Sequence, residues 1–176
     1  MPSYADHLEA EKAAQNLGTL RVLSRATRTV SEGAPPAYTT LTLFEDAAGK
    51  YGWDSEKIMA VAQGLFEHGL ITYPRTDSTH VAQEAVSSAR KIIRERHGIT
   101  ALKGLPVDTH LISLPSAGES GAHEAIRPAD PTLLPEEQGG LLPDQARLYE
   151  LIWQRFLASQ MRAAKYQIIE VELEGA

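Results

Sequence analysis

Ser55-Glu-Lys-Ile-Met-Ala-Val-Ala-Gln-Gly-Leu-Phe-Glu-His-Gly69 runs directly into Leu70-Ile71-Thr72-Tyr73-Pro74-Arg75-Thr76-Asp77-Ser78, and the reading of this stretch decides the fold class. Ile58, Ala62, Leu65 and Phe66 recur at helical spacing, Ser55 stands at the N-cap and Gly69 ends the helix. The run Leu70–Tyr73 then reads as a short apolar strand. A second short helix, Thr40 to Ala48 with Gly49 as its stop, comes just before, and Tyr51-Gly52-Trp53-Asp54 forms the turn between them. Two short helices, a tight turn and a strand are the layout of a helix-turn-helix with a wing. The pattern is widespread, so it points toward a DNA-facing fold as a class and to no single function.

The flanks add strands on one side and helices on the other. Ser3 to Leu17 reads as a helix with Ser3 as N-cap and Gly18 just past its end. Thr19 to Glu32 alternates loosely and reads as extended, although Arg21, Arg25 and Arg28 interrupt its apolar face. Gly33-Ala34-Pro35-Pro36 breaks regular structure and marks a boundary. Val81 to Arg96 is the clearest helix, with Val81, Ala85, Val86, Ala89, Ile92 and Ile93 as its stripe. Residues 99–121 read mostly as loop, and Pro128, Pro131, Pro135 and Pro143 keep the following stretch irregular. Asp144 then caps a last helix reaching about Met161, and Tyr166 to Leu173 reads as a closing strand. The class predicted is α+β, mainly helical.

Composition narrows the chemistry. The 176 residues are 43% hydrophobic and 23% charged, near the average for a globular protein, so a packed core needs no staples. The absence of cysteine excludes disulfides, thiolate catalysis and cysteine-bound zinc. No apolar run approaches the ~20 residues of a membrane span and the first residues are charged, so a cytosolic protein is expected, with no membrane partner. A net charge of −6 argues mildly against a stand-alone nucleic-acid binder and puts the weight on local basic clusters.

Three clusters carry chemistry. Thr72 to Ser78 gathers a phenol, a guanidinium, a carboxylate and three hydroxyls at a strand end. In an extended chain Tyr73 and Arg75 face the same way, and Pro74 keeps the segment out of a ladder interior. Tyrosine ionises near pH ~10, so a neighbouring cation favours its phenolate, and arginine binds phosphate oxygens in a fork. Such a pair suits attack on a phosphodiester, but by spacing alone an ordinary surface tyrosine beside an ion pair is the commoner case. The second cluster, His123-Glu124-Ala125-Ile126-Arg127-Pro128, lacks the second histidine of a zinc-protease helix, so no metal site is read there. Its functional reading makes His123 a phosphate donor or proton relay and Arg127 an anion contact. The third is the basic face of the long helix, where Arg90 and Arg94 lie one turn apart; a solvated face is the commoner case there too.

Taken together these blocks resemble the type IA DNA topoisomerases. Pro35-Pro36-Ala37-Tyr38-Thr39-Thr40-Leu41-Thr42-Leu43 is similar to that family's Pro-Pro-aromatic-Thr-Thr segment, and Gly69 to Ser78 resembles its active-site stretch. Ala122 to Pro128 and Leu148 to Met161 resemble two further blocks, in the family's order. Two departures exist: Pro74 at its position resembles topoisomerase III, and Ala129 replaces a frequent hydroxyl residue, whereas the long helix and the Leu148 to Met161 block look more like bacterial topoisomerase I.

The resemblance implies Tyr73 as nucleophile, Arg75 as the group that positions and stabilises the scissile phosphate, and His123 as a hydrogen-bond donor nearby. Thr76, Asp77 and Ser78 would support the loop at the DNA, with Arg127, Arg90 and Arg94 as weaker backbone contacts. It also implies a winged-helix-like gate domain over residues 36–163, with residues 1–35 and 164–176 as strands of an adjoining arch. Single-stranded DNA is the expected substrate. The expected chain is an internal piece of a bacterial, nucleoid-associated enzyme, whose Mg2+-binding Toprim domain lies upstream in the same polypeptide. No metal ligand is expected within the chain itself. The competing class is a non-catalytic winged-helix DNA-binding module.

Overall fold

The computed structural model describes residues 12, 18, 20–102 and 124–175. All of the predicted first helix but Lys12 lies outside the described residues, as do His123 and most of the predicted loop 99–121. The chain divides into two compact units, Met1–Glu32 with Ala164–Ala176, and Gly33–Ala163. Both α-helix and β-strand are present: a two-stranded antiparallel sheet in the first unit and four α-helices in the second, among the described residues.

Strands β1 (Leu20–Glu32) and β2 (Ala164–Gly175) pair along nearly their whole length. A register shift between Val22 and Ser24 inserts Leu23 as an extra residue. This bulge explains the loose alternation of the sequence. Before it Leu20 and Val22 share a side with Leu173; after it the phase changes, so that Arg25 and Thr27 take that side, opposite Val171 and Ile169. The other side carries Ser24, Arg28, Glu170 and Glu172, joined by Ser24 Oγ donating to Glu172 at 3.0 Å and Arg28 Nε to Glu170 at 3.1 Å. One side therefore groups the apolar residues Leu20, Val22, Ile169, Val171 and Leu173 among polar ones, the other is rich in charge, and both are largely exposed.

In the helical unit α1 spans Thr40–Tyr51, α2 Ser55–Glu67, α3 Gln83–His97 and α4 Pro143–Ser159. Helix α1 runs past the expected stop at Gly49 and ends at Gly52, whose φ of +68° supplies the left-handed C-cap that an L side chain resists. Thr39 and Thr42 close its first turn as a reciprocal capping pair. Asp54 rather than Ser55 caps α2, its carboxylate accepting from Lys57 N at 2.8 Å. Asp144 lies inside α4 beyond Pro143 and pairs instead with Lys57 at 2.8 Å, which ties α2 to α4. The core forms where Leu43 and Ala47, Ile58 and Leu65, Ala89 and Ile93, and Leu148, Ile152 and Phe156 meet from the four helices. Burial of these apolar faces is the main stabilising term.

Two expectations change here. Phe66 stays at the margin, 37% exposed, because one residue past Leu65 turns it about a quarter of the way around the helix from the buried row. The predicted strand Leu70–Tyr73 contracts to one antiparallel bridge, Ile71 with Pro128. Proline has no N–H with which to extend a ladder, so pairing stops. The proline-rich stretch after it is pinned from α4: Tyr149 OH donates to Leu133 O at 2.7 Å and Trp153 Nε1 to Pro131 O at 2.9 Å.

Candidate active site

Three of the four sequence blocks, those around Tyr38, Tyr73 and Ile126, converge through backbone hydrogen bonds within the helical unit. Segment 124–129 is the common element. Ile126 N donates to Tyr38 O at 2.8 Å, Ala125 N to His80 O at 2.8 Å, Thr72 N to Arg127 O at 3.0 Å and Ala129 N to Leu70 O at 2.9 Å. The block around Tyr38 is itself fixed from α4, where Arg155 donates to Pro36 O at 2.8 Å and to Asp46 at 3.2 Å, with its guanidinium over the Tyr38 ring. Tyr38 OH donates to Asp46 at 2.6 Å. Burial, then the Asp46 bond, push its pKa well above the ordinary tyrosine value, so it remains a neutral donor.

Two threonine hydroxyls hold the Tyr73 loop. Thr72 Oγ1 donates to Ala125 O at 2.7 Å and accepts from Arg127 N at 3.0 Å. Thr40, in the first turn of α1, lies within hydrogen-bond reach of Pro74 O at 2.7 Å and Thr76 O at 3.1 Å through its hydroxyl, which also accepts from Thr76 N at 2.9 Å. Beyond them Thr76 Oγ1 accepts from Ser78 N at 3.0 Å and Ser78 Oγ from His80 N at 3.1 Å.

The result is a chain bent at Thr72 and Pro74 in which exposure alternates from one residue to the next, with almost no ladder. Pro74 and Thr76 are buried and Ser78 half-buried, while Tyr73, Arg75 and Asp77 are exposed. Tyr73 is 42% exposed and meets Phe66 edge-on, with ring centroids 5.4 Å apart. Arg75 has no hydrogen bond or ion pair among the described residues. An exposed phenol and, among the described residues, an uncommitted guanidinium thus stand two residues apart on a pinned backbone, groups able to receive a phosphate oxygen and attack its phosphorus.

The remaining candidates are placed differently. Arg127 is 9% exposed, and its guanidinium is engaged inward: Nη2 meets Glu124 at 2.6 Å and Nη1 donates to Pro128 O at 2.8 Å. Its Nε has no partner among the described residues. The other Glu124 oxygen accepts from Ala82 N at 2.7 Å, at the start of α3, where Ala82 offers no side-chain cap of its own. Arg90 is half-buried and Arg94 exposed on α3, away from its row of buried residues. Thr40, Thr72, Phe66 and Glu124 went unassigned in the sequence. Thr40 and Thr72 lay inside quoted blocks, but hydroxyl-to-backbone bonds across more than thirty residues leave no periodic signal.

A family model described as DNA topoisomerase matches residues 2–176. The DNA topoisomerase 1 of Zymomonas mobilis is 40% identical over 97% of this chain, and that of Synechococcus elongatus 36% identical over 96%. The chain spans 14% and 19% of those two proteins. The solved full-length topoisomerase I of Thermotoga maritima matches 99% of this chain and 28% of its own at a TM-score of 0.73 and 35% identity. Blocks in order, fold and matched length agree, and the chain belongs to the type IA DNA topoisomerase family, as a segment of that family's length.

Proposed function

We propose that this segment carries the strand-cleaving tyrosine of a type IA DNA topoisomerase. The observation that carries the reading is the outward pair Tyr73 and Arg75 on a pinned backbone, with Arg75 uncommitted among the described residues. The Tyr73 oxygen attacks the phosphorus of a single DNA strand, the bond from phosphorus to the 3′ oxygen breaks, and a 5′-phosphotyrosyl link forms. The phenol proton leaves, and the 3′ oxygen departs as a hydroxyl after gaining a proton. Arg75 orients the phosphate and offsets charge as it develops. His123 contributes a hydrogen bond near the phosphate. A second strand passes through the gap and the 3′ hydroxyl reverses the attack. Because the link conserves the bond, no ATP is consumed and negative supercoils relax.

The same reading makes residues 36–163 a winged-helix-like gate and residues 1–35 with 164–176 the strands of an arch, with Gly33–Pro36 as hinge. Asp77, Thr76 and Ser78 support the loop at the DNA, and Arg90 and Arg94 contact its backbone. Among the described residues no group of three His, Asp or Glu side chains could hold a metal ion. On this reading magnesium is held by a Toprim domain elsewhere in the polypeptide, and no step above passes through it. The setting is the bacterial cytoplasm, at the nucleoid.

The test is Tyr73→Phe in the complete polypeptide that carries this segment. Loss of the detergent-trapped covalent adduct, with single-stranded DNA affinity kept, is the expected result. A variant that still forms the adduct removes Tyr73 from the chemistry. Wild-type protein that binds DNA without forming any adduct favours the non-catalytic module instead. The isolated 176-residue chain should leave supercoiled plasmid unrelaxed, and Tyr73-dependent relaxation by it would refute the need for a Toprim partner.

A further inference from the structure

We propose that Thr40 is a positioning residue of this site, acting through the peptide units on either side of Arg75. The inference rests on the reading of Tyr73 and Arg75 as the cleaving pair. Among the described residues the hydrogen bonds that place Arg75 run through the backbone of its neighbours and none through its guanidinium. That backbone is clamped at both neighbours by one residue. Thr40 N donates to Thr76 O at 2.9 Å, and Thr76 N donates back to Thr40 Oγ1 at 2.9 Å. The single hydroxyl proton of Thr40 goes to Pro74 O at 2.7 Å, the shorter of its two carbonyl contacts. Pro74 offers no amide of its own, so its carbonyl is the only backbone group through which that residue can be hydrogen-bonded.

Thr40 is fixed in turn, because it occupies the first turn of α1 behind the Thr39–Thr42 capping pair. The Arg75 loop is thereby referenced to the helix bundle through α1. Only serine or threonine can play this part: the position needs a short side chain that donates and accepts at one atom. Displacement by about 1 Å at a reacting centre can reduce a rate on the order of 100-fold. Loss of the clamp should therefore slow the chemistry of bound DNA and leave its binding alone.

The experiment uses the complete polypeptide and a 3′-labelled single-stranded oligonucleotide. Thr40→Val, Thr40→Ala and Thr40→Ser are compared with wild type by adduct-formation rate at saturating DNA, by DNA affinity and by melting temperature. Thr40→Val and Thr40→Ala should form adduct roughly 10- to 100-fold more slowly, with affinity within about 2-fold and melting temperature within a few degrees. Thr40→Ser should recover to within about 3-fold of wild type. In an Arg75→Ala background, Thr40→Val should add little, because the two act on one step. Wild-type adduct rates in Thr40→Val, or full additivity with Arg75→Ala, would overturn the assignment. So would unfolding of both the Val and Ala variants, which would make Thr40 a stability residue. Tyr73→Phe, run alongside, separates the two readings: if it still forms adduct, the cleaving-tyrosine reading fails whatever Thr40 does.

Discussion

The ribbon and the helical unit are held by different physics. The ribbon of β1 and β2 has twelve paired positions but no enclosed interior among the described residues: Leu20, Val22, Ile169, Val171 and Leu173 lie on one side and all are exposed. Its cohesion comes from main-chain bonds and cross-strand contacts, and a two-stranded sheet alone is marginal in water. The helical unit encloses Ile58, Leu65, Ile93, Leu148, Ile152 and Phe156 and depends on packing. A residue of the same type therefore has a different worth in each.

The sharpest way to break that comparison is truncation in both places. Phe156→Ala should cost about 3–5 kcal/mol, and Val171→Ala should stay within about 0.5 kcal/mol, read from denaturant curves of the 176-residue chain. Equal costs would mean that the ribbon is buried in solution. Next in size is Arg127→Met, which strands the Glu124 carboxylate and frees two carbonyls; about 3 kcal/mol is expected. A neutral result would show that the ion pair is exchangeable for apolar packing.

Tyr149→Phe tests a smaller effect and adds a pH signature. At neutral pH, loss of the bond to Leu133 O should cost about 1 kcal/mol. Burial, and then the Asp130 charge, raise the Tyr149 pKa to about 12. Since the folded value lies above the unfolded one of about 10, its contribution is whole below pH ~10 and is lost as pH rises toward ~12. Wild type should lose stability across that window more steeply than Tyr149→Phe, and parallel curves would count against it. The smallest effect belongs to the ribbon surface. A double-mutant cycle on Arg28 and Glu170, both well exposed, should give a coupling under about 0.5 kcal/mol that vanishes in salt.

What the sequence could tell differed along the same divide. The helices were legible because packing against a common core imposes a 3.6-residue period, visible in α3 from Ala85 to Ile93. Their ends were less so: Gly49 and Gly52 are both plausible stops in letters, and only a positive φ at Gly52 selects between them. In β1 the bulge at Leu23 reversed the alternation midway, which no fixed period can follow. The candidate site was legible as letters, since Tyr73, Arg75 and the 124–128 block all lay in recognisable runs. The inward turn of Arg127 was not, because whether an arginine meets solvent or a nearby carboxylate depends on where Glu124 is anchored.

The alternation of the Tyr73 loop has a consequence for how such a site can change over evolutionary time. Thr72, Pro74, Thr76 and Ser78 face inward or partly so and make the attachments, while Tyr73, Arg75 and Asp77 face outward. The even-numbered positions specify a shape and the odd-numbered ones a reactivity. Mutation can then revise the outward row one residue at a time on an inherited backbone, and drift in the inward row is confined to residues that keep the attachments. A site written in two interleaved registers can explore new chemistry without first having to refold.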